Sequence, residues 1–221
     1  GACVTLSEFE KLCHEFFPSF VDTVIRFGSP QIRTAATVGG NLGTASPIGD
    51  LAPLFFVLGA KLSLLGPKGE RTLPIKDFFK GYRKNALENN ELIFKILLPK
   101  KRKNDTLYSW KLSKRYDQDI STLSLAAKVT KDKKDSLENI ILSAGGVGPT
   151  PLILHQTGKL LRNTNLSFNQ RALQTAINHD ISPISDLRGT ARYRSTAMVG
   201  LIKKMQRSLI SGEEQHSIMS I

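Results

Sequence analysis

The residue types best suited to chemistry gather in one stretch, TVGGNLGTASPIGD, from Thr37 to Asp50. Fourteen positions hold four glycines, an asparagine, several hydroxyls and a closing aspartate. Glycine at that density means that backbone passes where a side chain would collide. The thing approached is the chain itself, a phosphate-bearing cofactor or another subunit. Gly39 and Gly40 are adjacent and the next glycine is Gly43. That spacing is not G-x-G-x-x-G, and it lacks the Lys-Ser or Lys-Thr that comes after the last glycine of a P-loop. It offers a run of amides, Val38 to Asn41, able to form an anion-binding nest. Asn41 tolerates left-handed backbone. Asp50, at a helix start, can accept from sugar hydroxyls or cap the helix. The other reading is a tight turn between packed elements, with Gly39 and Gly40 there for clearance. Composition alone leaves both open.

The elements that must position this stretch are set by periodicity. Apolar residues at Leu6, Phe9, Leu12, Cys13 and Phe16 predict a helix capped by Thr5 or Ser7 and stopped by Pro18. A second helix covers about 20–27, and Ser29-Pro30 then breaks into an extended or looping segment. After the glycines, 51–58 reads as a short apolar helix, and 60–65 with 71–75 as a hairpin across GPKG. Residues 91–98 read as a strand. Pro99 and the basic block Lys100, Lys101, Arg102 and Lys103 mark the clearest boundary. Beyond it, 107–112, 121–130 and 137–143 suggest an antiparallel meander, and helical periodicity returns over 169–177 and 190–210. The fold class is α+β twice over: residues 1–103, residues 104–210, and a loose tail over 211–221.

The net charge of +12 raises the expectation of a polyanion partner. Lys100 to Lys103, and the second cluster of Lys131, Lys133 and Lys134, lack the interleaved aromatics of a single-strand binding surface. Nucleic-acid binding is therefore the lesser alternative, beside a scaffold role without cofactor. Cys3 and Cys13 read as reduced thiols of a cytoplasmic protein. The four histidines are scattered, so no zinc site is expected. The longest apolar run is interrupted by Lys61 and Ser63, too broken for a bilayer span, and no leader marks the chain for secretion.

IRFGSPQIRTAATVGGNLGTASPIGDLAPLFFVLGAKLSL resembles the FAD-binding domain of the xanthine dehydrogenase and molybdenum hydroxylase family. KDFFKGYRK, SWKLSKRYDQDIS, LSAGGVGPTP and DLRGTARYRSTAM fit the same family in the same order. The resemblance is to the bacterial small-subunit type. It implies a vanillyl-alcohol-oxidase (PCMH) type lobe followed by a subdomain of the CO-dehydrogenase flavoprotein C-terminal type, with an antiparallel sheet and helices.

That resemblance implies FAD as cofactor, approached by the backbone of Thr37, Val38, Gly39, Gly40 and Asn41. Thr37, Asn41 and Asp50 would make polar contacts. Phe27 falls where the family places an aromatic beside the flavin, Ile93 where it places an apolar residue, and Lys111 where it places a lysine. Arg115 to Asp119 resembles the mobile loop beside the ring. The start, GACVTLSEFE, looks like the end of a first lobe that wraps the other side of the FAD diphosphate. Iron–sulfur clusters and molybdenum cofactor are expected only on other domains or partner subunits. NAD is the expected acceptor, in purine oxidation. No general acid, base or nucleophile is expected here, and neither nucleic acid nor membrane is an expected partner.

Overall fold

The computed structural model describes residues 1–134 and 136–211; the expected tail falls almost wholly outside them. Helix α1 (Leu6–Phe16) opens on a full capping box: the Thr5 hydroxyl accepts from the Glu8 amide, and the Glu8 carboxylate accepts from the Thr5 amide. Leu6, Phe9 and Cys13 bury one stripe of it. Helix α2 (Val21–Ile25) comes next.

Two short helices replace the expected break and turn. Ser29 caps α3 (Pro30–Ala35) with Pro30 in its first turn, so this Ser-Pro starts a helix. Thr37 caps α4 (Val38–Gly43), whose core is the glycine stretch itself. Three glycines in six residues disfavour a helix. What offsets this is packing: Val38 and Leu42 are buried, and the first amides bond to the chain's own start.

Helix α5 (Leu51–Leu58) is buried at all eight positions. A helix apolar on every side must lie between layers. Its left-handed C-terminal residue is Gly59, at φ 69°. One side meets the three-stranded antiparallel sheet β2-β1-β5, built from β1 (Lys61–Gly66), β2 (Gly69–Pro74) and β5 (Leu92–Leu97). Between β2 and β5 lies a small pair, β3 (Phe79–Gly81) with β4 (Lys84–Asn85).

The other side of α5 rests on the second sheet, order β6-β7-β8-β9. Its strands are β6 (Asp105–Leu112), β7 (Leu123–Lys131), β8 (Leu137–Gly145) and β9 (Leu152–Ile153), all antiparallel as the meander predicted. Helices α6 (His155–Asn163), α7 (Gln170–Asp180) and α8 (Ala191–Ser211) cover its far face. Side chains alternate across a strand, and β6 uses both faces. Tyr108 and Trp110 join the core beneath α8, whereas Leu107, Ser109 and Lys111 face the first half of the chain. The strand thereby carries Lys111 to the glycine stretch. Among the described residues no helix is long and apolar enough to cross a membrane.

Candidate functional site

Asp50 occupies the N-cap position of α5 without capping it. Its carboxylate turns away instead: Oδ2 accepts from Lys111 Nζ at 2.7 Å, and Oδ1 accepts from the Ser121 hydroxyl. Lys111 Nζ also donates to the Arg26 carbonyl at 3.2 Å. All four residues are buried. An ammonium and a carboxylate removed from water hold together only when each is hydrogen-bonded as well as paired, and both conditions are met here.

Arg26 ties the pair to its surroundings. Its guanidinium donates to the Lys111 carbonyl at 2.8 Å, the Tyr116 carbonyl at 3.0 Å and the Ser113 hydroxyl at 3.1 Å, and it lies 4.7 Å from the Tyr116 ring centre. The end of α2 is thus fastened to the loop after β6. Within that loop the Asp119 carboxylate accepts from the Arg115 and Ile120 amides. The Arg115 amide, first among several causes, holds the Asp119 carboxyl below its ordinary pKa.

Asp50, Lys111, Ser121, Asp119 and Ile120 form one wall of a cavity of about 720 Å³, within the range that takes a cofactor-sized ligand. Phe27, Asn41, Asp50 and Lys111, four of the residues named from sequence, line it together. Ser46 to Gly49 and the loop over 118–121 continue the lining, and Gly146, Asp186, Arg188 and Arg194 close the far end. Arg194 is buried, pairs with Asp186 at 2.7 Å and donates to the Gly146 carbonyl, while its Nε has no partner. Asn41 Oδ1 is likewise buried without a partner.

The other five sequence candidates lie off this cavity. Thr37 Oγ1 accepts from the Gly40 amide as the α4 cap. Val38 is buried and faces a different cavity. A Cβ on Gly39 would stand 2.6 Å from Ala2 Cβ and 2.8 Å from the Ala2 carbonyl oxygen. Gly40 is exposed, and Ile93 packs on the first core beside Gly43.

The amides that could have formed an anion nest are engaged within the chain. The Val38 amide donates to Val4, Gly39 to Ala2, Gly40 to Thr37 Oγ1 and Asn41 to the Thr37 carbonyl. All four amides are spent within the chain, and what Gly39 lets close is the chain's own start. Arg26, Ser121, Asp186 and Arg194 were missed in the sequence. Each lies within a segment that carried the resemblance, Arg26 beside Phe27, Ser121 closing SWKLSKRYDQDIS, and Asp186 and Arg194 in DLRGTARYRSTAM.

The donor set suits a flavin dinucleotide. It offers apolar flanks from Phe27 and Ile120, the Asn41 carboxamide in the lining, and cations for a diphosphate. Among the described residues, no group of three His, Cys, Asp or Glu is arranged to hold a metal.

Comparison with known proteins bears on this arrangement. Residues 1–101 match the FAD binding domain in molybdopterin dehydrogenase, and residues 108–209 the CO dehydrogenase flavoprotein C-terminal domain. The xanthine dehydrogenase of Blastobotrys adeninivorans is 32% identical over 229 residues, which take in 95% of this chain and 16% of that protein. The chain thus spans about a sixth of the length of the curated relatives it matches. Reconstituted CO dehydrogenase from Oligotropha carboxidovorans superposes with a TM-score of 0.81 at 28% identity, over 93% of this chain and 72% of that one. The CO dehydrogenase of Hydrogenophaga pseudoflava that lacks the Mo-pyranopterin moiety shares the fold, with a TM-score of 0.84 at 24% identity, over 96% of this chain and 74% of that one.

Proposed function

Because the chain belongs to the FAD-binding domain family of the molybdopterin dehydrogenases, with its CO dehydrogenase flavoprotein C-terminal domain, we propose that it is the flavin-holding part of a xanthine dehydrogenase-like molybdenum hydroxylase. In this reading electrons reach it from iron–sulfur clusters served by a molybdenum centre, on other domains or subunits, and leave to NAD. Bound FAD supplies the redox chemistry, accepting electrons and passing them on as hydride. The chain's own residues bind, orient and shield.

Asn41 and Phe27 line the cavity, where the carboxamide would meet a polar group of the ligand and the phenyl ring would flank the flavin. The Asp50–Lys111–Ser121 cluster forms a rigid polar wall, because Lys111 and Ser121 already occupy the carboxylate. A carboxylate so engaged is held in one orientation. Arg26 anchors the loop that borders the opening, which sets how an acceptor approaches. Two free thiols, Cys3 and Cys13, suit a cytoplasmic enzyme, and purine oxidation is the branch to which the xanthine dehydrogenase relatives point.

The observation that carries this reading is the convergence of Phe27, Asn41, Asp50 and Lys111 on one cofactor-sized cavity. Asn41 Oδ1 beside it has no partner among the described residues, and buried polar atoms without partners are rare. The test is a fluorescence titration of the apo chain with FAD, using FMN as control. Saturable binding that favours FAD supports the reading; equal binding of FMN removes the role assigned to the diphosphate end.

A further inference from the structure

The basic block Lys100 to Lys103 plays no part in the flavin cavity, yet it borders a second one. This chamber measures about 630 Å³ and shares no lining residue with the first. Helix α4 separates the two, with Val38 facing the second and Asn41 the first. Phe9, Phe16, Phe55, Ile96 and Leu98 line it, and Phe9 meets Phe55 edge-on at 5.5 Å. Leu12 and Phe16 also line it yet remain 42% and 52% exposed, so apolar surface stands open to solvent at the mouth.

Lys100, Lys101, Arg102 and Lys103 form part of the lining, all four exposed, and none is ion-paired among the described residues. Glu15 is the one acid in the lining. A small soluble anion has no use for an aromatic chamber, and a neutral hydrocarbon has no use for four unpaired cations. Both features together select an amphiphile with an apolar tail and an anionic head.

We infer that this chamber is a second ligand site, which takes a single-chain carboxylate of fatty-acid type, tail against Phe9, Phe55 and Ile96, head at the Lys100–Lys103 segment. The inference is independent of the flavin reading.

The test is isothermal titration of the full chain with dodecanoate at pH 8, below its micelle concentration. Decanoate, dodecanol and phosphatidylglycerol vesicles serve as comparisons. One-to-one binding is expected, tighter than decanoate by about tenfold for the two extra methylenes and tighter than dodecanol by about tenfold or more for the head. Lys100→Glu/Lys101→Glu, two exposed positions, should weaken dodecanoate about tenfold or more with circular dichroism unchanged. Phe16→Asp, which places a like charge at the mouth, should do the same. The inference is overturned if dodecanol matches dodecanoate, if chain length has no effect, or if the charge-reversed variant binds as before. It is equally overturned if only the vesicles bind, which would make the segment a membrane-surface contact, or if no saturable heat appears, as when a polypeptide segment fills the chamber.

Discussion

Lys111 and Asp50, sixty-one positions apart, meet as a buried ion pair at 2.7 Å that joins the second sheet to the start of α5. The pair fastens the two halves of the molecule at the cavity wall. Such a pair is a poor source of net stability, yet removing one partner strands the other. Asp50→Ala leaves the Lys111 ammonium with the Arg26 carbonyl alone and is expected to lower unfolding free energy by about 3–5 kcal/mol. Urea denaturation checks this, and Asp50→Ala/Lys111→Met should recover much of the loss. A single variant as stable as the parent contradicts the arrangement.

Gly39 is explained by contact with the chain's own start. Gly39→Ala drives a methyl into Ala2 and should cost about 1–3 kcal/mol. Gly200, inside α8 with nothing within 4 Å of an added Cβ, should give the opposite sign. Gly200→Ala is expected to stabilise by about 0.5–1 kcal/mol. Thermal melts of the two variants decide it, and a harmless Gly39→Ala rejects the packing account.

The Arg71 guanidinium grips both oxygens of Glu91, at 2.7 Å each, and the Glu88 amide adds a third bond. Hydrogen bonding from Arg71, then from that amide, brings the Glu91 carboxyl from an ordinary 4.5 down to about 2. A depressed carboxyl stabilises above its unfolded pKa and loses that contribution as pH falls through the folded value. The stability gap between parent and Glu91→Gln should therefore be full above about pH 5 and close between about pH 4.5 and 2. Salt should shrink it, because the Arg71 side of the pair is 40% exposed. A gap independent of pH contradicts the assignment.

The Arg26 guanidinium is the fastening of the loop over 113–119. Arg26→Met removes bonds to the Lys111, Tyr116 and Ser113 oxygens and should raise the loop's local opening. Faster tryptic cleavage after Lys114 and Arg115 is the expected readout, with cleavage in the α8 region unchanged. Equal rates would show that the loop is held by other contacts.

Much of this architecture was legible in one dimension. The apolar spacing from Leu6 to Phe16 announced α1, the run of strands and charged turns announced the meander, and the apolar run announced α5. Where pattern failed, tertiary packing had overruled local signals. Ser29-Pro30 can stop one helix or start another; here Ser29 caps α3, and Arg33 ties it to the Ile25 carbonyl and to Glu10. The α4 helix survives its glycines because Val38 and Leu42 are buried and Ala2 and Val4 take its first amides. Helix α6 was hidden by Gly158, a poor helix former inside its span. At the site, Phe27, Asn41, Asp50 and Lys111 were all named, yet Ser121 and Arg194 carry meaning only through partners 71 and 8 positions away. No local pattern states such a pairing.

The most direct test of the central claim is a paired measurement on Asn41→Ala. FAD affinity and unfolding free energy are read on parent and variant, alone and fused to the flavin-domain lobe that the resemblance places ahead of Gly1. Asn41 Oδ1 has no partner among the described residues, so its removal should leave folding within about 0.5 kcal/mol. FAD binding should weaken about tenfold, a change of about 1.4 kcal/mol. Unchanged FAD affinity, or no flavin binding in either form, contradicts the account.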